Sequence, residues 1–193
     1  MNYNKLRNVL ILIIGVSLIL CGCAAKPKLK VWADPEVSFD NYKLLEVRPV
    51  MNETGKVIDA NMLSALTDLL RNGLGRKGLS VIDRPEKESG ALIMQSDLVS
   101  YEEYELMDTV RTAGPAGWGE TMCTLRVRLR DRTSNRMVAT VVVTQSLPKG
   151  AVRTVPLGGA SYVNPLADDE LLKGVTNAVT DEVANIMLIS VKR

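Results

Sequence analysis

Apolar and polar residues alternate, wholly or in part, along four stretches of the chain, which are residues 42–50, 91–101, 122–131 and 137–147. A period of two places alternate side chains on opposite faces, which is typical of β-strands with one buried face. The last two stretches are separated by a short polar segment, and this spacing predicts an antiparallel hairpin. Residues 79–83 show a fifth and shorter strand pattern, so the sequence predicts five strands.

Two other stretches repeat apolar residues at intervals of three and four, the spacing of an amphipathic helix. The first covers residues 61–77, where Asp59 or Asn61 can cap the start and Gly78 suits the left-handed position after the end. The second covers about residues 168–191. The apolar stripes are Leu63, Leu66, Leu70 and Leu74 in the first helix, with Leu69 beside them, and Leu171, Leu172, Val175, Ala178, Val179, Val183, Ile186 and Met187 in the second.

The predicted order of elements is β-α-β-β-β-β-α. We therefore expect a single α+β domain over residues 42–193, in which two helices pack on a mostly antiparallel five-stranded sheet. Two loops rich in glycine and proline, residues 111–120 and 148–165, contain Trp118 and Tyr162. Aromatic side chains in such loops either anchor a protein interface or pack back onto their own domain.

The first 22 residues have the pattern of a secretory signal. Lys5 and Arg7 make the start basic, and residues 9–20 are then apolar apart from one glycine and one serine. Twelve helical residues span about 18 Å, whereas the hydrocarbon core of a bilayer is about 30 Å thick. Residues 1–22 are therefore expected to be a signal peptide, and the alternative is an uncleaved anchor in the inner membrane.

Two cysteines follow the apolar segment, in the sequence Leu20-Cys21-Gly22-Cys23. This sequence resembles the lipobox of bacterial lipoproteins, in which leucine lies three residues before the modified cysteine and a small residue directly before it. The resemblance implies that Cys23 is acylated through a thioether-linked diacylglycerol and becomes the first residue of the mature chain. Cys21 fits this pattern less well, because Leu20 would then directly precede the modified residue.

Ala24 is the residue after the predicted lipidated cysteine. In enterobacterial lipoproteins, a residue other than aspartate at this position implies the outer membrane. We therefore expect an outer-membrane lipoprotein on the periplasmic side, with the inner membrane as the alternative. Residues 23–41 are interpreted as a lipidated tether, because they contain two prolines and little periodicity. Lys26, Lys28 and Lys30 within it either favour anionic head groups or belong to an ordinary solvated linker.

The composition excludes several kinds of chemistry. The chain contains no histidine, so it has neither a Ser-His-Asp nor a Cys-His catalytic site, nor histidine-ligated zinc. Loss of the signal peptide removes two basic residues and lowers the formal net charge from +2 to zero, so no basic field indicates nucleic acid. No catalytic residue, cofactor, metal or small-molecule substrate is indicated.

Cys123 is the single cysteine beyond the predicted lipidation site, so it has no partner for an internal disulfide. Its position in a strand pattern favours a buried and inert thiol. The alternative is a reactive thiol or one that forms an intermolecular disulfide.

Arginine recurs at alternate positions of one predicted strand, as Arg126, Arg128 and Arg130. These side chains share one face, which could contact an acidic partner protein or lipid A phosphates. The favoured interpretation is a solvated face that is balanced by acids such as Glu102, Glu103 and Glu105. We expect substitution of all three arginines by glutamine to leave folding intact.

A group of acids precedes the first glycine-rich loop. Carboxylates in this number could bind Ca²⁺ or hydrolyse glycosides, but the spacing of a calcium loop is missing and no second motif supports catalysis. A solvated acidic edge is the favoured interpretation. The residues are Asp97, Glu102, Glu103, Glu105 and Asp108.

Three segments resemble a group of small bacterial lipoprotein domains of unknown function. They are Tyr42-Lys43-Leu44-Leu45-Glu46-Val47 as the first strand, the helix 61–77 with Gly78 and Leu79-Ser80-Val81-Ile82 after it, and Leu125-Arg126-Val127-Arg128-Leu129-Arg130-Asp131 before a hairpin. These domains are distantly similar in fold to the N-terminal domain of TolB, the curli-secretion lipoprotein and the penicillin-binding-protein activator lipoprotein B.

The resemblance implies a non-enzymatic protein that binds other envelope proteins or contributes to an envelope assembly. It also allows a ring- or pore-forming secretion subunit. A third hypothesis, a hydrolase that acts on envelope polymers through carboxylates, comes from the acidic residues alone.

Overall fold

One mixed sheet and two helices make up the computed structural model, which describes residues 26–82, 90–104, 119–149 and 165–189. The strands are β1 (Lys28–Ala33), β2 (Leu44–Val47), β3 (Met51–Asn52), β4 (Ser80–Ile82), β5 (Ala91–Tyr104), β6 (Gly119–Asp131) and β7 (Met137–Lys149). The helices are α1 (Ala60–Arg76) and α2 (Pro165–Ile189), and a short 3-10 helix covers Phe39–Asn41.

The strands are ordered β1-β7-β6-β5-β2-β4, and β3 pairs with β5 as well. The pairs β1–β7, β7–β6 and β6–β5 are antiparallel, whereas β2 runs parallel to both β4 and β5, and β3 runs parallel to β5. The α+β class with two helices is confirmed. The expectation of five mostly antiparallel strands is wrong, since the described residues form seven strands in a mixed sheet. Helix α1 connects β2 to β4, and a helical crossover of this kind returns the chain in the same direction.

Part of the segment interpreted as a tether belongs to the fold. Strand β1 pairs antiparallel with β7, with Lys28 opposite Thr144 and Ala33 opposite Ala139. The 3-10 helix that follows buries Phe39, whose exposed fraction is 4%. The interpretation of residues 23–41 as a tether is therefore corrected, and the folded domain begins at Lys28 rather than at residue 42.

The predicted ends of α1 agree with the structure. The side chain of Asp59 accepts a hydrogen bond from the backbone N–H of Asn61 at 2.9 Å, which caps the start. Gly78 has a φ of 85° and lies just after the end, where a left-handed residue closes the last turn. The N–H of Leu79 then donates to the carbonyl of Leu74 at 3.2 Å.

Both helices pack on the same face of the sheet and against each other. Leu66, Leu70 and Leu74 of α1 are fully buried, as are Leu125 and other residues of β6 that alternate with its arginines. Gly73 allows the helices to approach closely, because a Cβ at this position would lie 2.7 Å from the Cγ2 of Thr180 in α2. The opposite face of the sheet has no helix packed on it among the described elements.

Candidate functional site

The uncovered face of the sheet carries the three predicted arginines. Residues of β6 that alternate with them are buried under the helices, so Arg126, Arg128 and Arg130 point to the opposite face. The cross-strand register places Arg126 opposite Asp97 of β5, and Arg128 opposite Gln95. The shared face that the sequence predicts is therefore present.

Asp97 is the centre of a charged network on this face. Its Oδ2 accepts hydrogen bonds from the Nε of Arg126 at 3.3 Å and from an Nη2 of Arg128 at 2.6 Å. Its side chain has an exposed fraction of 0%, whereas those of the arginines are 32% and 23% exposed. Burial of an unpaired carboxylate is strongly unfavourable, and two arginines offset that penalty here.

Glu53 completes the network. It forms ion pairs with both Arg126 and Arg128. The short strand β3 positions this acid, because the N–H of Glu53 donates to the carbonyl of Leu98 at 2.9 Å. This strand has only two residues and no periodicity of its own, so the sequence does not predict the contact.

The network, defined as Asp97, Glu53, Arg126 and Arg128, has two positive and two negative charges. The acidic partners that the structure shows for these two arginines are the buried Asp97 and the half-exposed Glu53. The Oδ1 of Asp97 and the Nε of Arg128 are buried and make no further hydrogen bond among the described residues. The contacts that position the two guanidinium groups are made by the Oδ2 of Asp97 and by Glu53.

The other arginines of this region have partners too. Arg130 donates to the carbonyl of Asn135 at 3.2 Å. Arg132 forms an ion pair with Glu46, and Arg136 forms one with Asp34 at the end of β1. The face is therefore a set of local ion pairs.

Strand β1 gives the same sheet a second basic surface. Lys28 lies opposite Thr144, Lys30 opposite Val142 and Trp32 opposite Thr140, in register with the uncovered face. All six residues of β1 are exposed, and the exposed fraction of Trp32 is 46%. Within the described ranges, Lys28 and Lys30 make no salt bridge, so their charges are not offset as those of the β6 arginines are.

Asp131 ends β6 and stabilises the turn into β7. Its Oδ1 accepts hydrogen bonds from the N–H and the hydroxyl of Ser134, at 2.6 and 2.7 Å. The backbone N–H of Ser134 is the main cause that lowers the pKa of Asp131 below its usual 3.8. Burial, with a smaller effect from Asp131, raises the pKa of the neighbouring Tyr42 to about 12.

Cys123 is fully buried, as the first interpretation from sequence expects. Burial raises the pKa of its thiol to about 12. The thiolate is the nucleophilic form, so this thiol is inert at neutral pH.

Several predicted residues lie outside the described residues. These are the lipidation residue Cys23, the loop residues Trp118 and Tyr162, and the acids Glu105 and Asp108. Within the described ranges, no three acidic or cysteine side chains converge as a metal site would require. Neither described helix has both the length and the apolar character needed to cross a membrane.

Two residues of this surface had weak sequence signals. Asp97 lies within an apolar strand pattern, where a single acid indicates a buried ion pair if a basic strand pairs beside it. Trp32 lies in the sequence Lys-Leu-Lys-Val-Trp-Ala, whose alternation is short and flanked by prolines. A lysine alternating with apolar residues is typical of an edge strand.

Comparisons with known proteins concern the fold. No protein-family model and no curated protein matches the chain. A hypothetical protein from Chlamydia trachomatis is 11% identical with a TM-score of 0.50, and the match covers 77% of this chain and 99% of that chain.

Two further structures are similar to a lesser degree. A protein of family DUF330 from Xanthomonas campestris is 14% identical with a TM-score of 0.48, covering 86% of this chain and 95% of that chain. A minor lipoprotein from Acinetobacter baumannii is 15% identical with a TM-score of 0.43, covering 79% of this chain and 95% of that chain. The structures that resemble this chain thus include a bacterial lipoprotein. The finer resemblance to TolB, the curli-secretion lipoprotein and the activator lipoprotein stays a prediction.

Proposed function

We propose that the protein is a lipid-anchored lipoprotein of the outer membrane that faces the periplasm, has no enzymatic activity and binds other envelope proteins. The observation that carries the proposal is the uncovered sheet face, on which Asp97 holds Arg126 and Arg128 in fixed positions. Fixed arginines are frequent in protein interfaces, because little side-chain entropy is lost when a partner binds. The lipobox pattern at Cys23 supports the anchor.

The engagement of Asp97 also supports a binding function over hydrolysis. A carboxylate-based hydrolase needs two acids that face a common substrate. Asp97 has no exposed surface and is bound by two arginines, so it is not free to act as acid or nucleophile.

The anchor is tested by lipid labelling. Cells that express the full chain are expected to incorporate labelled palmitate into the protein, and Cys23→Ala is expected to abolish the label. Globomycin, which blocks the lipoprotein signal peptidase, is expected to cause the precursor to accumulate. A palmitate label that survives the substitution would contradict the assignment of Cys23.

The binding surface is tested by photocrosslinking in cells followed by mass spectrometry. A photoreactive residue at Thr140, on the uncovered face, is expected to form an adduct with an envelope protein. The matched control is Lys173, which is exposed on α2 and lies on the other side of the sheet. Equal adducts at both positions, or none at Thr140, would exclude this face as the interface.

Self-assembly into a ring or pore is the second candidate, and the edge position of β1 favours it. Among the described strands, β1 pairs on one side only, so its outer backbone groups can pair with another copy. Light scattering on residues 24–193 distinguishes the two candidates. A single sharp oligomeric mass would support assembly, whereas a monomer supports a binding domain.

A further inference from the structure

We propose that strand β1 lies on the anionic phospholipid headgroups of the leaflet that holds the lipid of Cys23, with Lys28, Lys30 and Trp32 in contact with the bilayer. The inference rests on the proposed lipid anchor and adds an orientation to it, because the domain then meets the membrane by one edge of its sheet.

The length of chain between the anchor and the fold limits where β1 can lie. Lys28, the first residue of β1, lies five positions after Cys23, with four residues between them. Even a fully extended chain of this length reaches only about 17 Å. The tether inferred from sequence had three times that reach, since it ended at residue 41. The edge strand is therefore held beside the membrane, whereas α1 and β4 lie at the far end of the sheet order.

The side chains of β1 suit an anionic interface. Lys28, Lys30 and Trp32 alternate along one face of the strand. Lysines next to a lipid anchor are attracted to anionic lipids, and these two make no salt bridge within the described ranges that would neutralise them. Tryptophan is enriched at the level of the headgroups, where its ring is partly apolar and its N–H reaches a polar group.

Exposed apolar residues are concentrated on the same strand. Of the seven large apolar side chains that are exposed within the described residues, three belong to β1, namely Leu29, Val31 and Trp32. Leu29 and Val31 share a face with the buried residues of β7 but are 45% and 42% exposed. An edge with apolar residues on both faces and charged residues between them matches the boundary between headgroups and acyl chains.

The charge pattern favours a bilayer over a second copy of the chain as the occupant. Two antiparallel β1 strands paired about a two-fold axis would bring lysines of one copy close to lysines of the other. Like charges that face each other across a strand pair are destabilising, and lysine on an edge strand discourages edge-to-edge pairing. An anionic surface offsets these charges instead.

The full lipidated protein provides the test, through the fluorescence of Trp32. The chain has two tryptophans, so the variant Trp118→Phe leaves Trp32 as the single one. The protein is reconstituted into vesicles of phosphatidylethanolamine and phosphatidylglycerol, with or without brominated acyl chains, and into phosphatidylcholine vesicles. We expect brominated lipid to quench Trp32 in the anionic vesicles. The additional substitutions Lys28→Gln and Lys30→Gln are expected to lower the equilibrium constant for contact between β1 and the bilayer about thirtyfold.

The matched control replaces two exposed lysines away from β1, as Lys43→Gln with Lys173→Gln, and is expected to leave the quenching unchanged. Equal melting temperatures of the variants show that folding is not the cause of a difference.

Three outcomes would overturn the inference. Trp32 that is quenched by acrylamide but not by brominated lipid would show that β1 faces water, while a palmitate label would leave the anchor intact. Shielding from both quenchers would show that a protein covers β1. Protein that carries no palmitate and stays in solution would overturn the anchor and the orientation together.

Discussion

Two strands of one sheet present basic side chains at alternate positions on the same face, and they differ in what neutralises them. Arg126 and Arg128 in β6 bind the buried Asp97 and the half-exposed Glu53. Lys28 and Lys30 in β1 make no salt bridge within the described ranges. The alternation in sequence is the same in both strands, yet the arginines are neutralised by acids on the same face and the lysines are not.

The position in the sheet accounts for this difference. Strand β6 is central and has β5 beside it, so the register places an acid next to its arginines. Strand β1 is an edge strand whose single described neighbour offers Thr140, Val142 and Thr144 at the facing positions, and none of these carries charge. The residues of the neighbouring strand therefore decide whether the basic side chains of a strand are neutralised within the sheet.

The largest effect is expected from removal of the β6 arginines. The double substitution Arg126→Gln with Arg128→Gln leaves Asp97 buried without a cation, and we expect a loss of about 3–5 kcal/mol in the free energy of unfolding. The matched change Lys28→Gln with Lys30→Gln is expected to change this free energy by less than about 0.5 kcal/mol. Urea denaturation of residues 24–193 measures both. Equal losses in the two double variants would contradict the comparison. The expected loss for the arginine variant also differs from the expectation from sequence, in which the arginines can be replaced without effect on folding.

A smaller effect is expected when the acid is removed instead. Asp97→Asn leaves two arginines that are partly exposed and can turn to water, so the loss should be about 2 kcal/mol. Glu53→Gln is the control, because an ion pair with a half-exposed acid contributes at most about 1 kcal/mol. When Asp97→Asn is combined with the arginine substitutions, the loss in the free energy of unfolding should be smaller than the sum of the separate losses, because the three residues belong to one network. Additive losses would show that the three residues act independently.

The smallest expected effect is the pH dependence of the stability that Asp131 contributes. The pKa of Asp131 is lower in the folded protein than its usual 3.8, so the contacts of Asp131 with Ser134 stabilise the fold above that pH. This contribution is lost as the pH falls through the folded pKa, because the protonated acid gains nothing from folding. Asp131→Asn is therefore expected to be less stable than the native protein at neutral pH, and the difference should disappear under acid conditions. Denaturation at a series of pH values measures it, and the β1 lysine variant should show no such dependence.

Residues with strong local patterns made much of the fold predictable. The apolar stripe and caps of α1 define it without reference to the rest of the chain, and the β6–β7 hairpin follows from alternation on both sides of a short turn. Strand β1 was missed because its single partner, β7, lies more than a hundred residues later, and six residues between prolines carry little local signal. The two-residue strand β3 exists only through its pairing with β5.

Part of the charged surface was also predictable from a local pattern. The arginine face follows from alternation within one strand, which sequence reveals directly. Its neutralisation depends on the register between β5 and β6, which brings together residues 29 positions apart. Asp97 was consequently assigned to a solvated acidic edge, although it is fully buried.

The integration of β1 into the sheet has a mechanical consequence. In the lipid-anchored form that we propose, any force between membrane and domain enters the fold at Lys28 and acts first on the pairing with β7. A pull along the strand axis is shared by all six residue pairs of β1 and β7, which resist it in shear. A pull at right angles to the axis opens the pairs one after another from Lys28. The residues released from β1 would then add to the length of the linker before the helices and the core bear any load.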